Sequence, residues 1–255
     1  MRKFVLLWSV LAVSLLFAGP VSVEFEAVPE KKFELIKNVP YGTGADQVGI
    51  FIPARNEEKP FGANALSGNG KRLFILDNMN QRLLSLDLQT KILKKELALP
   101  AVTFSTLSVK GGDLFLYNGK EERLYVKSGD TVKPTVKPAT EKTTAYPYTK
   151  FFGNGAVRVV LSEKSFFELN FTDRSLRSFL LVGRADNGDL FFQVELADGS
   201  RHILITSGTG AVLGRMKLID SNLYKPEQDI FVSGDGSVYF ISPGDDSLRI
   251  YGGRL

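Results

Sequence analysis

The chain has no cysteine and only one histidine, His202, in 255 residues. Without thiols there is no disulfide framework, thiolate metal site, cysteine nucleophile or lipid-modified cysteine. A lone imidazole leaves little for histidine-rich metal binding, and neither a metal nor a cofactor is expected. Long apolar runs are scarce too. Beyond residue 20 none approaches the ~20 residues that cross a bilayer as a helix, and with 24% charged residues the chain does not read as a protein of several membrane-spanning helices. What the chain does hold is a core. Apolar residues make up 44% against 24% charged ones, which excludes a disordered tail, and the length is ample for a buried interior.

The single long apolar run comes first. Two cations, Arg2 and Lys3, precede Phe4 to Ala18, broken only by Ser9 and Ser14 and ended by Gly19-Pro20. Fifteen residues at helical rise reach about 23 Å, short of a ~30 Å hydrocarbon core. Residues 1–22 therefore read as a secretory signal peptide, cut between Ala18 and Ser22. The expected location is exported, periplasmic or extracellular, with membrane contact only if the leader stays attached. Loss of Arg2 and Lys3 leaves 30 cations against 28 anions, so the formal charge falls from +4 to +2. No basic patch with interleaved aromatics remains, and nucleic acid is not an expected partner.

The rest repeats. A glycine followed by an apolar strand recurs at Gly70-Lys-Arg-Leu-Phe-Ile-Leu, Gly112-Asp-Leu-Phe-Leu-Tyr, Gly155-Ala-Val-Arg-Val-Val-Leu, Gly188-Asp-Leu-Phe-Phe-Gln-Val and Gly236-Ser-Val-Tyr-Phe-Ile. The intervals are 42, 43, 33 and 48 residues, averaging 41.5, the spacing of four-stranded propeller blades. The first unit reads as strands over 63–67, 73–77, 83–87 and 92–97, and the second as 106–110, 114–118, 123–127 and 131–136. The third reads as 149–152, 157–161, 166–171 and 175–181, and the fourth as 181–185, 190–194, 202–206 and 211–218. The fifth offers only three, 229–233, 238–242 and 248–251. Its missing outer strand calls for one from the N-terminus, with Phe33–Lys37 and Val21–Glu26 as candidates. The fold class is thus all-β, a propeller of five four-stranded blades closed by an N-terminal strand. Six blades is the alternative, if 21–26, 33–37 and 47–52 pair together. The divisions are 1–22 leader, 23–60 closing strands and lead-in, and 61–255 blades.

The first unit, Asn69-Gly70-Lys-Arg-Leu-Phe-Ile-Leu-Asp77-Asn78-Met-Asn80-Gln-Arg82-Leu-Leu, with its lead-in Tyr41-Gly-Thr-Gly44-Ala-Asp-Gln-Val-Gly49, resembles the NHL-type or TolB-like β-propeller repeat. Later units keep less of that pattern. Pro243 stands where the turn aspartate belongs, and the second and fourth retain Arg123 and Arg201 without an Asp-x-x-Asn turn. The resemblance implies a fold far more than an activity.

Candidate chemistry is sparse. Asp77, Asn78, Asn80 and Arg82 read as a turn closed by an Asp–Arg pair. Asp245-Asp246 reads as a solvated turn, Gly208–Gly214 as a tight hairpin, and His202 as a half-exposed strand residue. Channel-mouth candidates, at the start of each innermost strand, are Asn64, Thr106, Thr149, Arg184 and Asp229. One carboxylate and one amide with a cation among them do not make a calcium site. The Lys133–Lys150 stretch reads as an extended contact arm, with Lys137, Lys142, Tyr146 and Tyr148 as interaction candidates. No catalytic residue is assigned. The sequence points to an exported, non-catalytic propeller serving as a protein- or glycan-binding or scaffold module of the cell envelope. The alternative is a propeller enzyme, a lactonase-like hydrolase or lyase working at the channel mouth.

Overall fold

The computed structural model describes residues 20–54, 59–110, 112–120, 123–135, 147–152, 155–221 and 223–255. Residues 1–19 of the proposed leader and three of the arm candidates, Lys137, Lys142 and Tyr146, lie outside them. The described chain is all-β apart from one turn of 3-10 helix at Phe25–Ala27. Ahead of that turn lies β1 (Val21–Val23), and after it come β2 (Glu30–Lys31) and β3 (Glu34–Pro40). The first sheet is β4 (Ala65–Gly68), β5 (Arg72–Asp77), β6 (Arg82–Asp87) and β7 (Leu93–Ala98). The second is β8 (Thr106–Lys110), β9 (Asp113–Asn118), β10 (Arg123–Ser128) and β11 (Thr131–Thr135). The third begins with β12 (Tyr148–Phe151), β13 (Ala156–Ser162) and β14 (Ser165–Phe171). The fourth begins with β15 (Leu176–Arg184), β16 (Leu190–Leu196), β17 (Arg201–Thr206) and β18 (Val212–Lys217). The fifth begins with β19 (Ile230–Val232), β20 (Val238–Pro243) and β21 (Ser247–Gly253). Each of these sets is an antiparallel meander, and the first strands touch one another in the order β8, β4, β19, β15, β12. Four-stranded sheets set side by side on their first strands are the propeller arrangement.

Strands of the first, fourth and fifth sheets are apolar on both faces because each of these sheets is covered on both. Along β5, Leu73 and Ile75 enter a cluster with Val39, Leu84, Leu248 and Ile250, between the first and fifth sheets. Phe74 and Leu76 point the other way and join Phe104, Leu107 and Leu116, between the first and second. Phe192 and Leu204 fill the third–fourth gap, and Phe240 and Ile203 the fourth–fifth gap. Among the described residues no such cluster joins the second and third sheets.

The N-terminal segment runs around the outside. Strand β1 adds in parallel to β14, β2 adds in parallel to β18, and β3 adds antiparallel to β21 over Glu34 to Pro40. The 33–37 candidate thus does supply the outer strand of the fifth sheet. The segments 21–26, 33–37 and 47–52 do not pair with one another, so no sixth sheet forms among the described residues. Residues 47–52 make only isolated bridges, Tyr41 with Val48 and Phe51 with Phe61.

A second correction concerns residues 175–185. They form a single strand, β15, which pairs with β16 along its whole length, with Phe179 stacked on Phe192 at 4.7 Å. The third sheet therefore has no outer strand of its own, and β1 fills that place. The two sheets that receive nothing from the N-terminus end in β7 and β11. Lys94 and Lys95 on the one, and Lys133 and Pro134 on the other, discourage further edge pairing.

His202 is the third correction, for it is buried and not half-exposed. Its ring meets Phe25 edge-on at 5.0 Å, and Phe25 is fully enclosed beneath the Arg215 guanidinium. Arg215 in turn holds Glu26 at 3.0 Å and Glu30 at 3.2 Å, and Asp173 accepts the amides of Phe25 and Glu26 at 2.7 and 2.9 Å. Burial, then the Arg215 charge, push the His202 pKa down to about 4 from 6.5.

Two outcomes follow. Phe192→Ala should cost about 3–5 kcal/mol in denaturant unfolding, as large core truncations do; a loss below ~1 kcal/mol would remove it from the core. For His202 the unfolded chain binds a proton between pH 6.5 and 4 that the folded chain refuses. Its contribution is complete above pH 6.5 and lost as pH falls towards 4. His202→Phe should therefore flatten the stability–pH curve in that window by about 1–3 kcal/mol, measured by urea unfolding at several pH values.

Candidate functional site

The leading ends of β4, β8 and β19 lie together, and the side chains there are amides. Asn64, just ahead of β4, accepts the Glu227 amide at Oδ1 (3.2 Å) and donates from Nδ2 to the Ser105 carbonyl (3.4 Å). Asn78 donates to the Phe104 carbonyl at 2.8 Å and accepts the Phe104 amide at 3.2 Å. Gln228, just ahead of β19, reaches furthest. Its Oε1 accepts the Leu107 amide at 3.1 Å, and its Nε2 donates to the carbonyls of Leu66 and Leu107, both at 3.0 Å. One side chain from the fifth sheet thus satisfies backbone groups of the first and second. Those groups lie on the inner edges of β4 and β8, which among the described residues pair with no neighbouring strand beyond the isolated Ala65–Gln228 bridge.

Asp229 follows Gln228 and turns outward to the fourth sheet. Its Oδ2 accepts Arg201 Nη2 at 2.5 Å, and Arg201 also lies 3.9 Å from Asp220. These residues, with Ser221 and Lys225, line a cavity of about 160 Å³. Arg82 and Arg201 both open the third strand of their sheets, yet they take different partners. Arg82 pairs within its own sheet, where Nε meets Asp77 Oδ2 at 2.9 Å with both groups buried. Its Nη1 and Nη2 donate to the carbonyls of Thr43 and Gln47, and Asn80 Nδ2 donates to Gly42 O. Asp77 Oδ1 also accepts the Gly49 amide at 3.1 Å. A Cβ on Gly49 would fall 2.4 Å from that of Met79, so only glycine allows this approach. The Asp77–Arg82 turn expected from sequence is present, and it also clamps the lead-in loop.

Of the five channel-mouth candidates, Asn64 and Asp229 lie on either side of Gln228 in this network, and Thr106 stands exposed at the start of β8 beside it. Thr149 lies away from them on β12, where Oγ1 donates to the Phe179 carbonyl of β15. Arg184 is misplaced by the sequence reading. Because β15 runs unbroken from Leu176, Arg184 closes that strand at the opposite end, beside the Gly188 turn, and is exposed. Tyr148, read as an arm anchor, is a half-buried residue of β12 with the Lys150 ammonium 5.8 Å from its ring. Sequence reasoning missed Gln228, which no periodicity marks. Asn78 it had counted as turn chemistry only.

The chemistry these groups can perform is limited by their existing bonds. The carboxylates of Asp77 and Asp229 are held by guanidinium groups, and the amides are spent on backbone. Among the described residues no group of three or more His, Asp or Glu side chains could hold a metal ion.

No family model matches the chain, and no curated protein does. Among solved structures it is similar to the glutaminyl cyclase of Myxococcus xanthus, at 12% identity over 89% of this chain and 97% of that one, TM-score 0.42. A streptogramin B lyase aligns at 12% identity over 80% of this chain and 96% of that one, TM-score 0.34. Hsv2 of Kluyveromyces lactis aligns at 10% identity, over 74% and 73%, TM-score 0.37. These are β-propeller proteins. Likenesses this distant carry no argument, and the architecture rests on the chain's own strand pairing and core.

Removing one partner of the buried pair leaves an uncompensated charge. Arg82→Ala should cost about 3–5 kcal/mol. Gln228→Ala, which strands backbone groups at the inner edge, should cost about 1–3 kcal/mol. Guanidinium unfolding midpoints check both, and an unchanged midpoint for either would show its network to be dispensable.

Proposed function

We propose that the chain is an exported, non-catalytic β-propeller of five blades, closed by β3 on the fifth sheet, acting as a protein- or glycan-binding or scaffold module of the cell envelope. The observation that carries this reading is the commitment of the mouth's polar groups. Asn64, Asn78, Gln228 and Asp229 hold neighbouring strands or an arginine, so none is left to activate a nucleophile or water. An enzyme requires such groups poised towards a substrate. Five blades leave a narrow axis, and the reach of Gln228 across β4 to β8 fits it. Export is supported by the apolar leader, with β1 starting at Val21 inside the range of the expected cleavage.

N-terminal sequencing of the protein from its native envelope, with metal analysis and thermal unfolding with and without chelator, tests the reading. A mature terminus within residues 19–23 and a melting temperature unmoved by chelator are expected. Stoichiometric calcium with a chelator-induced drop in melting temperature would replace it with a metal-dependent hydrolase.

A further inference from the structure

A groove on the outside of the fifth sheet has mainly cations among its charged lining residues. It has a volume of about 670 Å³, within the ~300–1,000 Å³ range of small-ligand sites. Four stretches of chain build it: the β2–β3 junction, the β6–β7 turn, β20 with the turn before it, and the end of β21. Its cations are Lys31, Lys32, Lys91 and Arg254, against one carboxylate, Glu34. None of the three lysines forms an ion pair with a described residue, and Arg254 has only an exposed contact to Asp235 at 3.9 Å. The lining therefore carries an excess of three positive charges, which Asp235 offsets only in part, at Arg254.

The site is shaped as well as charged. Leu35, Ile36, Leu88 and Tyr239 supply apolar wall between the cations. Gly252 makes that wall possible, since a Cβ there would lie 2.6 Å from Ile36 Cδ1 and 3.0 Å from the Tyr239 ring. Lys91 is held at the rim by its turn. Asp87 Oδ1 accepts the amides of Gln89 and Thr90 at 3.0 and 2.8 Å, and Lys91, at a φ of 58°, donates its amide to the Asp87 carbonyl at 2.9 Å.

We propose that this groove binds an acidic oligosaccharide, a short run of uronic-acid-type sugars, which rests on the binding-module reading above. Lysines are point charges without the planar fork of arginine, and three of four cations here are lysines. That set suits carboxylates spread along a ligand better than one bidentate oxyanion. Leu35, Ile36, Leu88 and the Tyr239 ring suit the C–H faces of sugar rings, and the Ser237 hydroxyl is at hand for a sugar hydroxyl. A lipid is less well served. Of the groove's large apolar side chains only Leu35 is exposed, at 50%, which is too little to receive an acyl chain.

Calorimetric titration of the mature protein with trigalacturonate tests the assignment. Its neutral methyl ester, inorganic phosphate and phosphatidylglycerol vesicles serve as comparison ligands. Binding of trigalacturonate alone is expected, weakened at least about tenfold in Lys32→Gln/Lys91→Gln, whose exposed changes should leave the melting temperature in place. Added salt should weaken it as well. No heat with trigalacturonate, equal binding by the double variant, or equal binding of the ester, phosphate or vesicles would each overturn the proposal. Chromatography of the titrated sugar separates the two readings. Cleavage of trigalacturonate would remove the non-catalytic reading itself, whereas absent binding without cleavage would remove only the groove.

Discussion

The first, fourth and fifth sheets are each covered on both faces by their neighbours, and much of the structure follows from that sharing. A single strand such as β5 sends Leu73 and Ile75 into one interior and Phe74 and Leu76 into another. No sheet has a core of its own. Stability is shared across the gaps, and each gap depends on two sheets meeting at the right angle and register. This explains why large rings are concentrated there: Phe179 and Phe192 stack in one gap, and Phe240 and Tyr251 in another.

Covering the faces leaves two kinds of edge to be dealt with. The inner edges of β4 and β8 present backbone groups that no ladder satisfies, and Gln228 supplies the missing partners. The outer edges of the third, fourth and fifth sheets are covered by residues 21–40, which run from one to the next. That strap is fastened chemically as well as by strands. Phe25 is its buried anchor, Asp173 caps it, and Arg215 ties Glu26 and Glu30 to β18. His202 stays neutral beside Phe25 because burial and the Arg215 charge both oppose a second cation.

The charged groove arises where the strap leaves the fourth sheet for the fifth. Lys31 and Lys32 lie at that crossing, and β3 brings Leu35 and Ile36 alongside β21. The polar groups of the leading ends have the opposite character, being bonded inward. The proposed binding role therefore falls on the periphery of the sheets and not on their leading ends.

The sequence by itself determined the class of fold, because strand and turn signals are local. A glycine turn, an apolar run and a return strand recur with a period that a four-stranded unit requires, and Asp77 and Arg82 are close enough in the chain to announce their pairing. The 33-residue interval between Gly155 and Gly188 is one strand shorter than the others, and residues 175–185 form the single strand β15. Only the tertiary structure decided which distant segments meet. That β1 completes the third sheet, that Arg201 pairs with Asp229 of the next sheet, that His202 is buried under the strap, and that Gln228 bridges β4 and β8 are contacts between residues 28 to 177 positions apart. Backbone edges and buried charges accept whatever complementary group the fold brings near, and nothing in the local pattern of either partner specifies the other.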